Sequence, residues 1–297
     1  MRCILPKRIV LSGGGIRGVA HTAALLMLEQ RGHLKFVNEY CGVSAGAIVS
    51  FLICIGYSFK TVARLCLELD FGSIRSIGED AFLNCLETFG IDDGKNVQKL
   101  FKRFLTEMGY AETLTFSQLY RLKPTAPCLR IFATDLNQCN VKEFSLKTTP
   151  NVELITALRA SMSIPFYFNP VRDPETGHLL IDGGFFQGLP LFHLTPAERG
   201  SALGITFTED HNKVNDISTL QDFIAQLYAS SYLPLTEDIL RQYKDHLIVI
   251  PCGSYPLWDF EASREARKEM MEKAAAAAAK FVDTQKGIAP PRRYSVS

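Results

Sequence analysis

The sequence predicts an α/β fold built on a central, mostly parallel β-sheet with helices on both faces. Three observations support that class. Short, continuously apolar runs recur along the 297 residues, as expected of strands covered on both sides. Longer segments with helical periodicity separate them. Alternation of the two is the mark of crossover connections between parallel strands.

The first run, Arg8–Ser12, is apolar and ends at three glycines, so the chain leaves the sheet there through a tight turn. Ile16–Arg31 then has helical periodicity. Phe36–Cys41 reads as the second strand, and it too ends at a glycine, Gly42. The helix expected over Ala45–Ile55 is apolar all round, so it is a buried helix. It falls well short of the roughly 20 residues that span a bilayer. Phe59–Leu69 and Lys95–Met108 are helical. The second carries Lys95, Lys99, Lys102 and Arg103 on its polar face. That face is either simply solvated or meets anionic lipid headgroups. Between these helices, residues 72–93 are the least patterned stretch and mark an insertion where a lid would sit. Leu129–Thr134 is the third strand. Val152–Met162 is a helix that Pro165 brings to an end, and Leu179–Ile181 is a short strand that stops at Asp182. Leu203–Phe207 and Leu247–Pro251 complete the strands, with helices over Ile217–Ser231 and Glu261–Val282. The last contains six consecutive alanines, the strongest helix former. There is no repeat and no long linker. Residues 7–285 are therefore expected to form one domain, and 286–297 a disordered tail.

Composition narrows the function. Lys and Arg number 32 against 31 Asp and Glu, with 47% apolar residues. Balanced charge argues against a nucleic-acid binder, and the apolar content is enough for a core without staples. The 8 cysteines are scattered, with no C-x-x-C and no histidine cluster beside them. Buried reduced thiols are expected, and no metal or other cofactor. "MRCILPKRIVL" is too short for a secretory leader, and no N-x-S/T sequon occurs. The expected address is intracellular, in the cytoplasm or at a membrane periphery.

Three glycine loops carry the chemistry. The first, Gly13-Gly14-Gly15-Ile16-Arg17-Gly18, follows a strand and opens a helix. It satisfies the G-x-G-x-x-G dinucleotide fingerprint, and Glu39 falls near the spacing of the ribose acid. It equally suits a loop whose N–H groups face a negative charge, or a plain tight turn. The second, Gly42-Val43-Ser44-Ala45-Gly46, is G-x-S-x-G between strand and helix, the context of a nucleophile elbow. A plain βα turn with an N-capping serine is the alternative. In the third, Asp182 ends a strand and precedes Gly183 and Gly184. Asp-Gly is often only a turn. Strand ends in an open sheet share one rim, however, which would bring Asp182 within reach of Ser44.

Together the loops fit one reaction, in which Ser44 attacks an ester carbonyl and Asp182 takes its proton. The N–H groups of Gly14 and Gly15 stabilise the oxyanion. Arg17 either adds positive potential or pins the loop. A free carboxylate is a weak base for a hydroxyl, so burial must raise the pKa of Asp182 or the oxyanion donors must carry more of the barrier. A histidine-containing triad stays open, with His21, His33, His178, His193, His211 and His246 as candidates.

The three loops, in this order, resemble those of the patatin-like phospholipases, which combine G-G-G-x-R/K-G, G-x-S-x-G and D-G-G or D-G-A. A fourth stretch, "ALRASMSIPFYFNPV" from Ala157, resembles the family block before the catalytic aspartate. Its Ala160, Ser161 and Ser163 are small residues suited to close packing. The resemblance runs from Arg8 to Pro190. It implies a three-layer α/β/α domain and a Ser44–Asp182 dyad without histidine, metal or cofactor. It also implies an oxyanion loop over Gly13, Gly14, Gly15, Arg17 and Gly18, with Gly42, Gly46, Gly183 and Gly184 shaping the elbow and the aspartate loop. The reaction implied is calcium-independent hydrolysis of acyl esters in phospholipids or glycerolipids, with transient membrane contact and the oligomeric state left open. One departure is that Gly188 stands in "FFQGLP" where many members have an asparagine. A silent or activator-dependent lipid-binding effector of the same fold is the alternative.

Overall fold

The computed structural model describes residues 5–76, 81–208, 217–252, 255, 259 and 261–286. An eight-stranded, mostly parallel sheet forms its centre. Strands β1 (Arg8–Leu11), β2 (Glu39–Val43), β4 (Cys128–Asp135), β9 (Ala202–Phe207) and β10 (Leu247–Ile250) run parallel in the order β10-β9-β1-β2-β4. Beyond them, β5 (Asn140–Ser145) and β8 (Leu179–Asp182) lie antiparallel to β4, and β7 (Val171–Arg172) lies antiparallel to β8. Helices cover the sheet: α1 (Val19–Gln30), α2 (Ala45–Ile55), α3 (Phe59–Glu68), α5 (Lys95–Glu107), α6 (Phe116–Leu122), α7 (Leu154–Ser161), α9 (Leu220–Gln242) and α10 (Arg264–Lys286). A single turn, α8 (Pro196–Arg199), leads into β9. The predicted three-layer α/β/α arrangement is the one observed.

The apolar strands form the centre of the core, with Ile9, Leu11, Ile131 and Ile205 fully buried. α2 is buried along nearly its whole length, as its unbroken apolar sequence requires. The alanine-rich α10 lies along α1. Its Met270, Ala274, Ala278 and Val282, spaced every four residues, are fully buried, and small side chains allow the close approach. On the polar face of α5, Lys95, Lys102 and Arg103 pair with Asp93, Glu112 and Glu107.

Several boundaries differ from expectation. The second strand starts at Glu39 rather than Phe36, because the preceding residues form a turn that leaves Phe36 exposed. The first helix begins with a 3-10 turn, Gly15–Gly18. α9 continues past Ser231 through Pro234 to Gln242. The weakly patterned 72–93 stretch contains α4 (Ala81–Thr88) and β3 (Gly90–Asp92), which pairs with β6 (Phe166–Phe168); residues 77–80 lie outside the described residues. Cys41, Cys54 and Cys252 are buried as expected, whereas Cys128 and Cys139 are exposed. The tail over 287–297 lies outside the described residues, and so does Cys3.

Candidate active site

The sheet brings Ser44 and Asp182 together through β4. Arg130 to Asp135 of β4 pair along one edge with β5. On the other edge, Phe132 pairs with Val43 of β2, and the next residue, Ala133, pairs with Asp182 of β8. β2 and β8 therefore share one edge of β4 and meet end to end. Ser44, one residue past Val43, faces Asp182 across that junction.

The elbow is sterically enforced. Ser44 has φ 52° and ψ −121°, and α2 begins at the next residue. A Cβ on Gly42 would lie 2.5 Å from the carbonyl oxygen of Gly46. A Cβ on Gly46 would lie 2.5 Å from that of Leu11. Without a side chain at Gly42 the turn can close, and without one at Gly46 α2 can start against the end of β1. Its strained residue is also held by a relay, at positions where the sequence suggests only close packing. The Ser44 N–H donates to Ser161 Oγ at 2.9 Å, and Ser161 Oγ donates to the Phe132 carbonyl at 2.7 Å. Two residues on, the Ser163 carbonyl accepts from the Asp182 N–H at 2.8 Å. The block from Ala157 thus clamps both Ser44 and Asp182, and its Ser-x-Ser spacing is the signal of that role in the sequence.

Asp182 is fully buried. Its Oδ1 accepts from the Gly184 N–H at 2.7 Å and from the Tyr228 hydroxyl at 2.6 Å. Oδ2 has no hydrogen bond of strict geometry, although the Ser44 hydroxyl is near enough to favour the charged carboxylate. Burial outweighs these contacts and pushes the pKa up to about 6. Tyr228, on α9, carries no motif signal, so sequence reasoning passes over it.

The glycine-rich loop rests against the serine, with a Cβ on Gly13 reaching only 3.5 Å from that of Ser44. Its members divide by role. The Gly13 N–H is committed to the Gly188 carbonyl at 2.9 Å, which ties this loop to the aspartate loop. The N–H groups of Gly14 and Gly15 have no hydrogen-bond partner among the described residues. Arg17 donates from Nε to the Tyr255 carbonyl at 2.8 Å, the pinning contact. Gly18 packs on Ala45, Gly183 on the Phe132 carbonyl, and Gly184 leaves room for the Tyr228 hydroxyl.

The described histidines are placed elsewhere, and His211 lies outside the described residues. His21 Nε2 lies 2.9 Å from the Ser12 carbonyl, which can only accept, so Nε2 carries the proton. Burial lowers its pKa to about 4, and the neutral ring steadies the start of the glycine loop. His178 bonds Asp135 at 2.9 Å, and His193 stacks on Phe132. Among the described residues, no histidine hydrogen-bonds Ser44 or Asp182. Glu39 sits at the start of β2, bound by Arg8 and Arg130 at the end of the sheet opposite the glycine loop. A ribose acid belongs at the other end of that strand, so the dinucleotide reading fails.

A cavity of about 130 Å³ opens at Gly15, Gly18 and Ser44. It runs between α2, α3 and α5, walled by residues such as Val49, Leu52, Leu69, Leu100 and Phe101. Ile74, Arg75 and Asp92, from the weakly patterned stretch, line it too. Among the described residues, no group of three metal-ligating side chains occurs, and no helix is long and apolar enough to cross a membrane.

Known proteins resemble the chain in sequence and in fold. An uncharacterised protein of Acanthamoeba polyphaga mimivirus is 28% identical over 257 residues, covering 82% of each chain. A probable lipid hydrolase of Invertebrate iridescent virus 6 is 28% identical over 190 residues, 62% of each chain. The fold is also that of VipD from Legionella pneumophila, with a TM-score of 0.64 at 17% identity over 94% of this chain and 67% of that one. The family model described as patatin-like phospholipase matches residues 9–195. That match takes in the glycine loop, the elbow and the Asp-Gly-Gly turn, and the chain belongs to the patatin-like phospholipase family of lipid hydrolases.

Proposed function

We propose that the chain hydrolyses fatty-acyl esters of phospholipids or glycerolipids through a Ser44–Asp182 dyad. The observation that carries this reading is a strained serine meeting a buried aspartate at the mouth of an apolar cavity. The acyl chain enters between α2 and α5, and its carbonyl carbon lies over Ser44 Oγ. As Oγ attacks, its proton passes to Asp182 Oδ2. The carbonyl oxygen becomes an oxyanion held by the Gly14 and Gly15 N–H groups, with the α2 N-terminus adding positive potential. Collapse breaks the ester C–O bond, and the proton goes to the departing alcohol. Water repeats the sequence: Asp182 takes its proton, the acyl-enzyme is cleaved, and Ser44 is restored as the fatty acid leaves. Gly13, Arg17, Gly18, Gly42, Gly46, Gly183 and Gly184 hold the loops in place. The reading needs no metal, cofactor or nucleic acid, and the partner is a membrane surface that supplies the lipid. Residues 7–285 act as one catalytic unit.

The test is fatty-acid release from phospholipid vesicles and from a soluble short-chain ester, with chelator present. Wild type is expected to hydrolyse both, and Ser44→Ala neither. Full activity in Ser44→Ala would sink the mechanism. Silence of wild type on both, with Ser44 still labelled by a fluorophosphonate, would favour the activator-dependent effector.

Chain selectivity gives a second expected result. Ile48 lies one helical turn beyond Ser44 and lines the cavity. Ile48→Trp narrows the channel just past the reacting carbonyl. Long-chain hydrolysis should fall about tenfold or more against butyryl esters. An equal loss on both chain lengths would mean that the acyl chain lies elsewhere.

A further inference from the structure

A carboxylate that serves as a base at the bottom of an apolar site must stay charged and must present one chosen oxygen. In Asp182 the two oxygens are treated differently. Oδ1 receives two donors and Oδ2 none of strict geometry. One donor, the Gly184 N–H, comes from the same turn. The other, the Tyr228 hydroxyl, comes from α9, 46 positions along the chain and beyond the family match at 9–195.

The tyrosine is held in place independently of that hydrogen bond. Its ring meets Phe185 edge-on at 6.1 Å. One turn along α9, Ser231 Oγ lies 2.8 Å from the Phe185 carbonyl and 2.7 Å from that of Tyr228. Gly184 leaves open the space the hydroxyl fills, since a Cβ there would collide with it. One face of α9 is thus fastened to the aspartate loop, with the phenol aimed at the carboxylate.

We propose that Tyr228 is a positioning residue of the dyad, whose hydroxyl fixes the Asp182 carboxylate through Oδ1 and leaves Oδ2 as the proton acceptor for Ser44. The proposal rests on the dyad reading above. Its donation also favours the ionised carboxylate, against the burial that disfavours it. Among the described residues, no charged side chain shares that task. On β4, Asp135 is bound by His178, which precedes β8, and the Thr134 hydroxyl donates to the Asp182 carbonyl. On α7, Arg159 lies in the field of Asp92 and Asp93. None of these acts on the carboxylate, whose partners are Ser44, Tyr228 and Gly184.

The experiment is the pH profile of kcat/KM on a soluble ester from pH 5 to 9, for wild type, Tyr228→Phe and Ser231→Ala. Wild type should lose activity as pH falls through about 6, where Asp182 takes a proton. Tyr228→Phe keeps the ring but not the donor, so its acid limb should move up by about one pH unit. The loss is then largest at low pH and shrinks above pH 8, with KM unchanged and a residual drop in kcat from lost orientation. Ser231→Ala loosens the same helix but keeps the hydroxyl, and its limb should stay with wild type. If Tyr228→Phe melts early, a fluorinated tyrosine at 228, a stronger donor of the same shape, should move the limb down. An unmoved limb in Tyr228→Phe, or an equal shift in Ser231→Ala, overturns the proposal. Activity retained in Asp182→Asn would instead overturn the dyad itself, a separate and recognisable failure.

Discussion

Asp182→Asn should abolish hydrolysis and at the same time make the folded chain more stable at pH 8. The first effect follows from removing the base. The amide cannot take the Ser44 proton, and a loss of roughly 10³–10⁴-fold is expected. The second follows from linkage. Burial raises the folded-state pKa from 3.8 to about 6. The neutral form is therefore favoured in the fold, and that advantage is complete below the unfolded pKa. It is lost as pH rises through about 6, where the folded chain must carry a buried charge that the unfolded chain carries in water. Two pKa units correspond to about 3 kcal/mol. The substituted side chain has no charge to bury, and its amide oxygen can still accept from Tyr228 and the Gly184 N–H. Urea unfolding of both proteins at pH 8, 6 and 4 should show a gain of about 1–3 kcal/mol at pH 8 that fades toward pH 4. A variant less stable than wild type at pH 8 would mean that the surroundings favour the charge, contrary to a base of raised pKa.

Gly46→Ala should cost the chain about 3–5 kcal/mol and its activity with it. The added methyl would lie 2.5 Å from the Leu11 carbonyl oxygen and 2.6 Å from that of Ser12. Both are backbone atoms, at the end of the central strand β1 and the start of the glycine loop. Neither can yield by a rotamer change, so relief requires moving α2 away from the sheet or displacing the loop that faces Ser44. Gly32→Ala is a control: nothing lies within 4 Å of its Cβ, and only its φ of +74° opposes the change. It should cost about 1 kcal/mol. Comparable losses at the two positions in urea unfolding would show that the elbow is looser than its contacts imply.

The features legible in the amino-acid order are those whose requirements are local. Apolar runs and helical periods locate six of the strands and most helices, because burial on both faces needs no knowledge of the partner strand. The elbow is legible in its G-x-S-x-G pattern: the turn itself excludes a side chain at Gly42, while at Gly46 it is the carbonyls of Leu11 and Ser12 that exclude one. The edge strand β5, "NVKEFS", is not legible, since half-exposed edges carry polar residues that blur the pattern. How the loops meet is settled by the folded chain. The end-to-end junction of β2 and β8 on β4 depends on registers between segments far apart in the chain. The sequence leaves Arg17 either to add positive potential or to pin the loop, and in the folded chain its Nε donates to the Tyr255 carbonyl. Tyr228 reaches Asp182 from a helix with no motif of its own, and Ser161 steadies Ser44 across 117 positions. Steric rules within a tight turn leave a mark in its residues, as at Gly42. Hydrogen bonds and burial bind neighbours in space, and for Asp182 it is these that set the pKa and the orientation of a base.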